Sequence, residues 1–332
     1  MDLAEYFKQY SAIVLAFASI ITYTLFSKNY EKVVRTVKKD LDIDPLFSAA
    51  ILYFSASVIL IFLLLFSGFI WGFDYTIPRN VKWSHNLSFI LVMSVSYFIQ
   101  IFSEAKCRIQ VNMGVFDMFF QLYIIVIVLL NFIWSGVALS SHNILGLVFI
   151  VCMSIALLYY SEKHKIKGGE KLKLTEIGGY WAIISAIFMG IALFADGEAS
   201  NTLVFNTSLS WSRMSLFLFY EMITFLLPAI IALLVLVRKY GVSTTSKNLR
   251  IAYNYRSQAY WYAAFFSTFQ FVFSVAALTF PNDRIVVSSI LGGAPVLSVL
   301  FDRNTRTRVQ KRVELSFAFF IFIAIIFTVI KN

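Results

Sequence analysis

The sequence predicts an all-α polytopic membrane protein with ten transmembrane helices arranged as two inverted five-helix repeats. Three observations predict it: an apolar composition, ten apolar segments of membrane-spanning length, and an internal duplication. Of the 332 residues, 59% are hydrophobic and 14% are charged, and the mean hydropathy is +0.78. A soluble domain is about one quarter charged, and a globule of this size cannot hide so much apolar surface. A bilayer accepts that surface.

The ten predicted spans each approach the ~20 mostly apolar residues that a transmembrane helix needs. They lie at 11–27, 45–73, 86–106, 112–134, 143–160, 178–196, 213–237, 258–279, 285–301 and 314–330. No small-residue cleavage site follows the first segment, because residues 24–30 read TLFSKNY. It is therefore predicted to be a span and not a signal peptide. The longest predicted connections are 28–44, 161–177 and 238–257, which leaves no room for a large soluble domain.

Two halves of the chain resemble each other. Residues 10–16 read YSAIVLA and residues 180–186 read YWAIISA. Ala105 and Val115 correspond in the same way to Ala277 and Val287, and a short polar break joins two spans at that point in each half. The predicted repeats are 1–165 and 166–332. Because five is an odd number of spans, the two repeats must be inverted, which is a transporter signature.

The net charge of +10 has two interpretations. Lys and Arg residues normally flank membrane spans, and a basic vestibule would also attract an anionic substrate. Most of the 28 Lys and Arg residues lie in alternate connections, including 28–44, 106–111 and 238–257. The positive-inside rule then predicts that these connections are cytoplasmic and that both termini lie outside. No pattern indicates a metal site or a nucleic-acid partner, and no cofactor is expected.

Polar side chains inside the spans suggest a site, because such groups usually face a cavity or a partner in the membrane. The third span carries Tyr97, Gln100 and Glu104 along one side, and the fourth carries Asp117 and Gln121 one turn apart. The seventh span carries Arg213 and Glu221, and the eighth carries Gln270 and Ser274. Hydrogen bonding between packed helices is the alternative explanation. It applies best to the uncharged groups, since an ion binds helices together poorly.

The ninth span contains the sequence LGGAP at 291–295. Glycine permits close backbone approach, and proline frees a carbonyl group one turn earlier. Two interpretations stay open here: a broken helix that lines a cavity, or a kink that serves packing alone.

Several motifs resemble the drug/metabolite transporter superfamily, and within it the nucleotide-sugar transporters of the CMP-sialic acid and UDP-galactose type. That family shows Y-x-x-Q-N-N followed at a fixed gap by D-A-A-V-Y-Q-V-T-Y-Q-L-K. Here YFIQIF at 97–102 is followed at the same gap by NMGVFDMFFQLY at 112–123. The family's W-x-R-N-x-Q is similar to WSRMSL at 211–216, and its T-D-N-I-x-K is similar to PNDRIV at 281–286.

The resemblance implies a set of functional residues and also shows where this chain departs from the family. The implied lysines are replaced by Tyr123 and Val286, which leaves Arg213 and Arg284 as the cations that could meet anionic groups. The candidate substrate-binding residues are Tyr97, Gln100, Gln121, Tyr123, Arg213, Gln270, Ser274 and Ser289. The candidate coupling or gating residues are Asp117, Glu221 and Glu104. The family's cytosolic termini also contradict the orientation that the charge distribution predicts.

The expected function is alternating-access transport of an organic solute, with a nucleotide-sugar or related anionic metabolite exchanged across an endomembrane as the expected substrate. A nucleoside monophosphate is a further candidate solute, and exchange and proton-coupled transport both stay open. The expected partners are this solute and the lipid bilayer, and a homodimer is left open. The expected location is the Golgi or endoplasmic reticulum membrane in a eukaryote, and otherwise the plasma membrane. The alternative is a transport-silent scaffold or regulatory subunit. An enzyme is not expected, because no G-x-S-x-G occurs and no span contains a histidine.

Overall fold

A computed structural model describes residues 3–72, 83–110, 113–135, 140–163, 178–203, 214–278, 290–301 and 308–329 of the chain. Nearly all of these residues are helical, and no strand occurs among them. The predicted all-α class is therefore confirmed for the described part of the chain.

The described residues form the following helices, given in chain order. They are α1 (Leu3–Leu41), α2 (Pro45–Trp71), α3 (Trp83–Gln110), α4 (Met113–Phe120), α5 (Tyr123–Ser135), α6 (Ser141–Lys163), α7 (Gly178–Leu203), α8 (Met214–Tyr240), α9 (Val242–Leu278), α10 (Ala294–Phe301) and α11 (Arg308–Val329).

Five stretches of the described chain are long and apolar enough to cross a membrane. They are Pro45–Ile70, Asn86–Ile109, Val115–Trp134, Gly179–Ala199 and Ser215–Tyr240, and a shorter apolar stretch covers Ser141–Ala156. Large apolar side chains are exposed on these helices, and Phe69 on α2 is 88% exposed. Water disfavours such a surface and lipid does not. The chain is a helical membrane protein.

Two long helices correct the predicted connections. Residues 28–44 and 238–257 were expected to be loops, but α1 continues to Leu41 and α9 begins at Val242. Hydropathy marks only the apolar part of a helix, whereas Lys, Arg and Glu are good helix formers that prolong it. In α1, Arg35 and Glu31 form an ion pair of 3.0 Å one turn apart, a spacing that supports a helix. Within α9, Arg256 has non-helical torsion angles (φ −141°, ψ 33°), which mark a kink.

Asp44 begins α2 and ties it to the neighbouring helices. Its side chain accepts a hydrogen bond from the Leu46 amide at 3.0 Å, as an N-cap does, and Pro45 occupies the first helical position. Its other oxygen accepts from Lys239 Nζ at 2.9 Å and from the Tyr240 hydroxyl at 3.0 Å. Burial alone would raise the pKa of Asp44, but the hydrogen bonds from Leu46 and Lys239 outweigh it and lower that pKa.

Two helix breaks interrupt the fourth and ninth predicted spans. The fourth, expected to be continuous over 112–134, turns at Gln121 and Leu122 between α4 and α5, where the Leu122 amide donates to the Phe119 carbonyl at 3.0 Å. The ninth turns at Gly292 and Gly293, which confirms the interruption predicted from the LGGAP sequence. The bend lies against α11: an added Cβ at Gly292 would lie only 2.7 Å from Ile325, so a side chain there would collide.

The helices pack in pairs around a central space. α3 packs on α7, α1 on α9, α2 on α8, and α6 on α11. One apolar core lies mainly among α1, α2, α3, α8 and α9, and a second among α4, α6, α7, α10 and α11. The space where these two cores meet is the candidate site.

Candidate functional site

A central cavity of about 1080 Å³ is lined by residues from α1 to α9 and by Leu291, Ala294 and Ile325. This volume is at the upper end of the range for sites that hold small organic molecules. Most of the wall is apolar or aromatic, and a few polar side chains interrupt it. Both helix breaks contribute, through Gln121 at one and through Leu291 and Ala294 at the other. Irregular backbone at membrane depth is tolerated where it lines such a space.

Most of the predicted site residues lie at this cavity or directly behind it. Seven line the cavity: Tyr97, Gln100, Glu104, Gln121, Tyr123, Gln270 and Ser274. Asp117 and Glu221 are buried but are not among the lining residues. Arg213 and Ser289 lie outside the described residues. Polar side chains from spans that are far apart in the sequence, such as Tyr97 and Ser274, thus lie at one cavity.

Gln100 and Glu104 form a hydrogen-bonded wall on α3. The Gln100 amide donates to Glu104 Oε2 at 2.6 Å, and the Tyr53 hydroxyl donates to Gln100 Oε1 at 3.5 Å. From α7, the Ser185 hydroxyl donates to the Gln100 backbone carbonyl oxygen at 3.3 Å and accepts from the Gln100 side-chain amide at 3.5 Å. These bonds hold the two side chains in fixed orientations, so this part of the wall is preorganised.

Arg108 is a buried arginine behind this wall, and it faces the carboxylates of Glu104 and Asp117. It is fully buried, and its Nε donates to Glu104 Oε1 at 2.6 Å while its Nη2 lies 3.7 Å from Asp117 Oδ1. Its Nη1 donates to the Ser27 carbonyl at 3.2 Å, and its guanidinium carbon lies 4.5 Å from the centre of the Phe116 ring. A buried ion needs such partners, because its desolvation is costly. The prediction that Arg108 lies in the connection 106–111 is wrong, because Arg108 belongs to α3 and its side chain is fully buried.

Asp117 links α4 to α1. Its Oδ1 accepts from the Tyr23 hydroxyl at 2.7 Å, and the Ser27 hydroxyl lies 3.2 Å from its Oδ2. Tyr23 itself lines the cavity. The Tyr23 hydroxyl therefore joins the cavity wall to Asp117 by one hydrogen bond.

Asp196 and Glu221 form a second buried acidic pair, contributed by α7 and α8. Asp196 lines the cavity and accepts from the Tyr97 hydroxyl at 3.1 Å. Glu221 is 1% exposed, interacts electrostatically with Asp196, and its Oε2 has no hydrogen-bond partner among the described residues. Asp196 is not among the predicted site residues, because the sixth predicted span ends at residue 196 and places it at a helix end. The available signal was that the apolar segment 178–196 contains no lysine or arginine that could pair with Asp196.

Gln270 and Ser274 connect α9 to α1 across the cavity wall. The hydroxyl groups of Ser274 and Ser19 lie 2.6 Å apart, and Ser19 also donates to the Gln270 carbonyl at 3.1 Å. The bond between Ser19 and Ser274 is the kind of polar contact that binds membrane helices together. At this position the packing explanation and a substrate-binding explanation both remain compatible with the geometry.

Comparison with known proteins adds no relative. No protein-family model matches the chain, and no curated protein matches it significantly. The cavity and its side chains therefore carry the functional conclusion.

Proposed function

We propose that the chain is an alternating-access carrier of an organic solute, in which two inverted five-helix halves rock around the central cavity. The single observation that carries the proposal is the cavity itself: a solute-sized space inside a membrane protein, with preorganised polar groups and two broken helices in its wall. A scaffold has no need of such a space.

The helix pairing supports the two-halves arrangement. The third and sixth predicted spans, α3 and α7, pack together. Their equivalents in the other half are the eighth and first spans, α9 and α1, and these also pack together. The pairs α2 with α8 and α6 with α11 map onto themselves. The break at Gln121 likewise corresponds to the break at Gly292, since their separation along the chain is close to that of the repeated segments at 10–16 and 180–186. Such exchange symmetry is expected of duplicated halves.

The ten-span topology belongs to this proposal, as do nucleotide-sugars and nucleoside monophosphates as the first solutes to examine. A carrier of nucleotide-sugars would serve a Golgi or endoplasmic reticulum membrane. The cation proposed to meet their phosphates is Arg213, and the charged residues of the described wall are Glu104 and Asp196.

Exchange in proteoliposomes tests the proposal. Vesicles are loaded with unlabelled solute and supplied outside with labelled solute, over a panel of nucleotide-sugars, nucleoside monophosphates, neutral sugars and organic cations. A carrier gives exchange that depends on solute on the opposite side.

Two substitutions on one helix provide the matched control. Ile127 on α5 lines the cavity, whereas Ile133 on α5 is 74% exposed toward the lipid. Ile127→Trp fills the passage and is expected to abolish exchange, while Ile133→Trp leaves it unchanged. Equal exchange by both variants, or no exchange of any solute by the unchanged protein, contradicts the proposal and favours the scaffold.

A further inference from the structure

The central cavity extends to one end of the helical bundle. Asn131 near the end of α5, Ser140 just before α6 and Asn143 in its first turn line the cavity there, and all three are partly exposed. The ring centres of Trp134 on α5 and Phe89 on α3 lie 5.5 Å apart, so this is the end at which α3 begins. Among the described residues, the cavity is therefore open at this end, which is called the α6 end below.

At the other end of the bundle the described residues close the cavity. Asp44 at the start of α2 lies 4.0 Å from Lys106 Nζ on α3 and 2.9 Å from Lys239 Nζ on α8, so this is called the basic end below. Next to the cavity on this side lie side chains of α1, α3 and α4 that have no exposed surface. They are Ser27, Tyr30, Arg108, Phe116 and Asp117. These side chains separate the cavity from the basic end.

Two short helices, α4 and α10, form part of this closed end. α4 begins at Met113, close to the end of α3 at Gln110, and it ends at the turn at 121–122. α10 follows the turn at 292–293 and packs against α4. A few residues at the end of an element can act as a hinge, because they absorb a change in backbone torsion angles. The two short helices can therefore move together relative to α5.

Asp117 joins α4 to two other helices. Its Oδ1 accepts from the Tyr23 hydroxyl of α1 at 2.7 Å, and the Ser27 hydroxyl of the same helix lies 3.2 Å from its Oδ2. Its distance from Arg108 Nη2 on α3 is longer, 3.7 Å. Hydrogen bonds to a carboxylate are stronger than those between neutral groups. The two hydroxyl groups of α1 are therefore the main attachment of α4 at this point.

The pairing of Arg108 with Glu104 allows this attachment to break without leaving the arginine alone. Both residues belong to α3, and Arg108 Nε lies 2.6 Å from Glu104 Oε1, so Arg108 keeps a counterion when α4 moves away. A buried arginine without a counterion would be costly. Asp117 on the moving helix would then lie at the opened passage, where water can solvate its carboxylate. The cluster is therefore compatible with two positions of α4.

We propose that α4 and α10 form a gate at the basic end of the cavity, and that the hydrogen bonds from Tyr23 and Ser27 to Asp117 hold this gate closed. The gate opens when α4 turns about the break at 121–122, carries α10 with it and separates Asp117 from α1. The structure then represents the state that is open at the α6 end. This inference rests on the proposed carrier function and identifies the step by which the cavity reaches the second side of the membrane.

The accessibility of one thiol from the two sides tests the inference. The reporter is Asn131→Cys in a protein whose exposed Cys152 is replaced by serine, reconstituted in sealed vesicles of known orientation without added solute. The same protein without Asn131→Cys gives the background from Cys107. A membrane-impermeant thiol reagent reaches position 131 directly from the α6 end, and from the basic end only through the open gate. The ratio of the basic-end rate to the α6-end rate therefore measures how often the gate opens.

Tyr23→Phe removes only the hydroxyl group that donates to Asp117. It should raise this ratio about 10-fold, the change expected for the loss of one hydrogen bond to a charged group. Tyr255→Phe is the matched control, because the Tyr255 hydroxyl also donates to an aspartate, Asp40, at 2.7 Å and also joins α1 to another helix. That bond lies at the exposed end of α1, away from the gate, so its loss should leave the ratio unchanged.

Ser27→Ala provides a second measurement from the same attachment. Ser27 is fully buried behind the described wall of the cavity, and its loss should also raise the ratio. It decides the matter if Tyr23→Phe fails to fold. An unchanged or lower ratio in a folded Tyr23→Phe overturns the inference, and so does an equal rise in Tyr255→Phe.

The reporter protein without gate substitutions separates this inference from the carrier function. Reaction of the thiol at position 131 from both sides, with the same ratio before and after Tyr23→Phe, leaves the carrier function standing and removes the proposed gate. Reaction from one side only in every variant removes both.

Discussion

Arg108 Nε lies 2.6 Å from Glu104 Oε1, one helical turn away on α3, and both side chains are buried in a segment that has membrane-spanning length and composition. Asp117 on α4 and the Ser27 carbonyl on α1 complete the surroundings of the guanidinium group. One cation thus joins three helices beside the cavity, and Glu104 connects this cluster directly to the wall.

Removal of Arg108 should destabilise the protein strongly. Arg108→Met leaves the Glu104 and Asp117 carboxylates buried without a cation, which typically costs about 3–5 kcal/mol. Denaturant unfolding in detergent micelles measures the change. Lys38→Met is the control, because Lys38 pairs with Asp42 at the exposed end of α1 and should change stability by less than about 0.5 kcal/mol.

Removal of one carboxylate from the same cluster should compensate in part. The double variant Arg108→Met, Glu104→Gln restores the net charge of the cluster and should be more stable than Arg108→Met alone, since coupled residues do not contribute additively. Strictly additive losses would show that the ion pair carries no coupling energy.

Gly190 on α7 should not tolerate alanine. An added Cβ would lie 2.5 Å from Val126 Cβ and 2.8 Å from the Tyr123 carbonyl oxygen, so α5 and α7 would have to separate. Overpacking of this kind costs about 1–3 kcal/mol, and the unfolding temperature of Gly190→Ala should fall.

Gly197, on the same helix, provides the contrast. Nothing lies within 4 Å of an added Cβ there, and alanine is the better helix former by up to about 1 kcal/mol. Gly197→Ala should therefore equal or exceed the stability of the unchanged protein. If both variants behave alike, the close approach of α5 and α7 at Gly190 does not exist.

The charge of Asp44 should give a stability contribution that disappears in acid. Its pKa is lowered in the folded protein, so the ionised form is favoured by folding. The contribution is fully present above the unfolded pKa of about 4 and is lost as the pH falls through the lower folded value. Because Lys239 is 55% exposed, the effect should not exceed about 1 kcal/mol.

Asp44→Asn isolates this charge, since asparagine is an equally good N-cap. The unfolding temperatures of the two proteins should differ by a constant amount between pH 5 and 7 and converge below about pH 4. A difference that persists or widens at low pH would assign the contribution to another group.

The fold class could be predicted because apolar length is a direct physical signal, and the described helices overlap the predicted spans. The helix ends could not be predicted in the same way. Residues 28–41 of α1 are helical although they are charged, because packing and helix propensity decide there and hydropathy does not. The break at Gln121 contains no glycine or proline from which it could be predicted, whereas the break at Gly292 contains two glycines and is followed by Pro295.

Part of the site could be predicted for the same reason. Tyr97 and Gln270 stand out as polar groups in apolar segments, and both line the cavity. Arg108 could not be found, because it follows Lys106 near a polar turn and has the sequence environment of a loop residue. Only the fold shows that Glu104 and Asp117, from two different helices, enclose it.

The central claim is that the cavity communicates with both sides of the membrane in turn. It can be measured by replacing Cys152, which is exposed, with serine and introducing Asn131→Cys at the cavity wall, while the native Cys107 stays buried. Sealed vesicles are then treated from each side with a membrane-impermeant thiol reagent, with Ile133→Cys on the lipid-facing side of α5 as the control. Our account predicts that the thiol at position 131 reacts from either side, while the thiol at 133 reacts from neither. Reaction of the thiol at 131 from one side only, or from none, would contradict it.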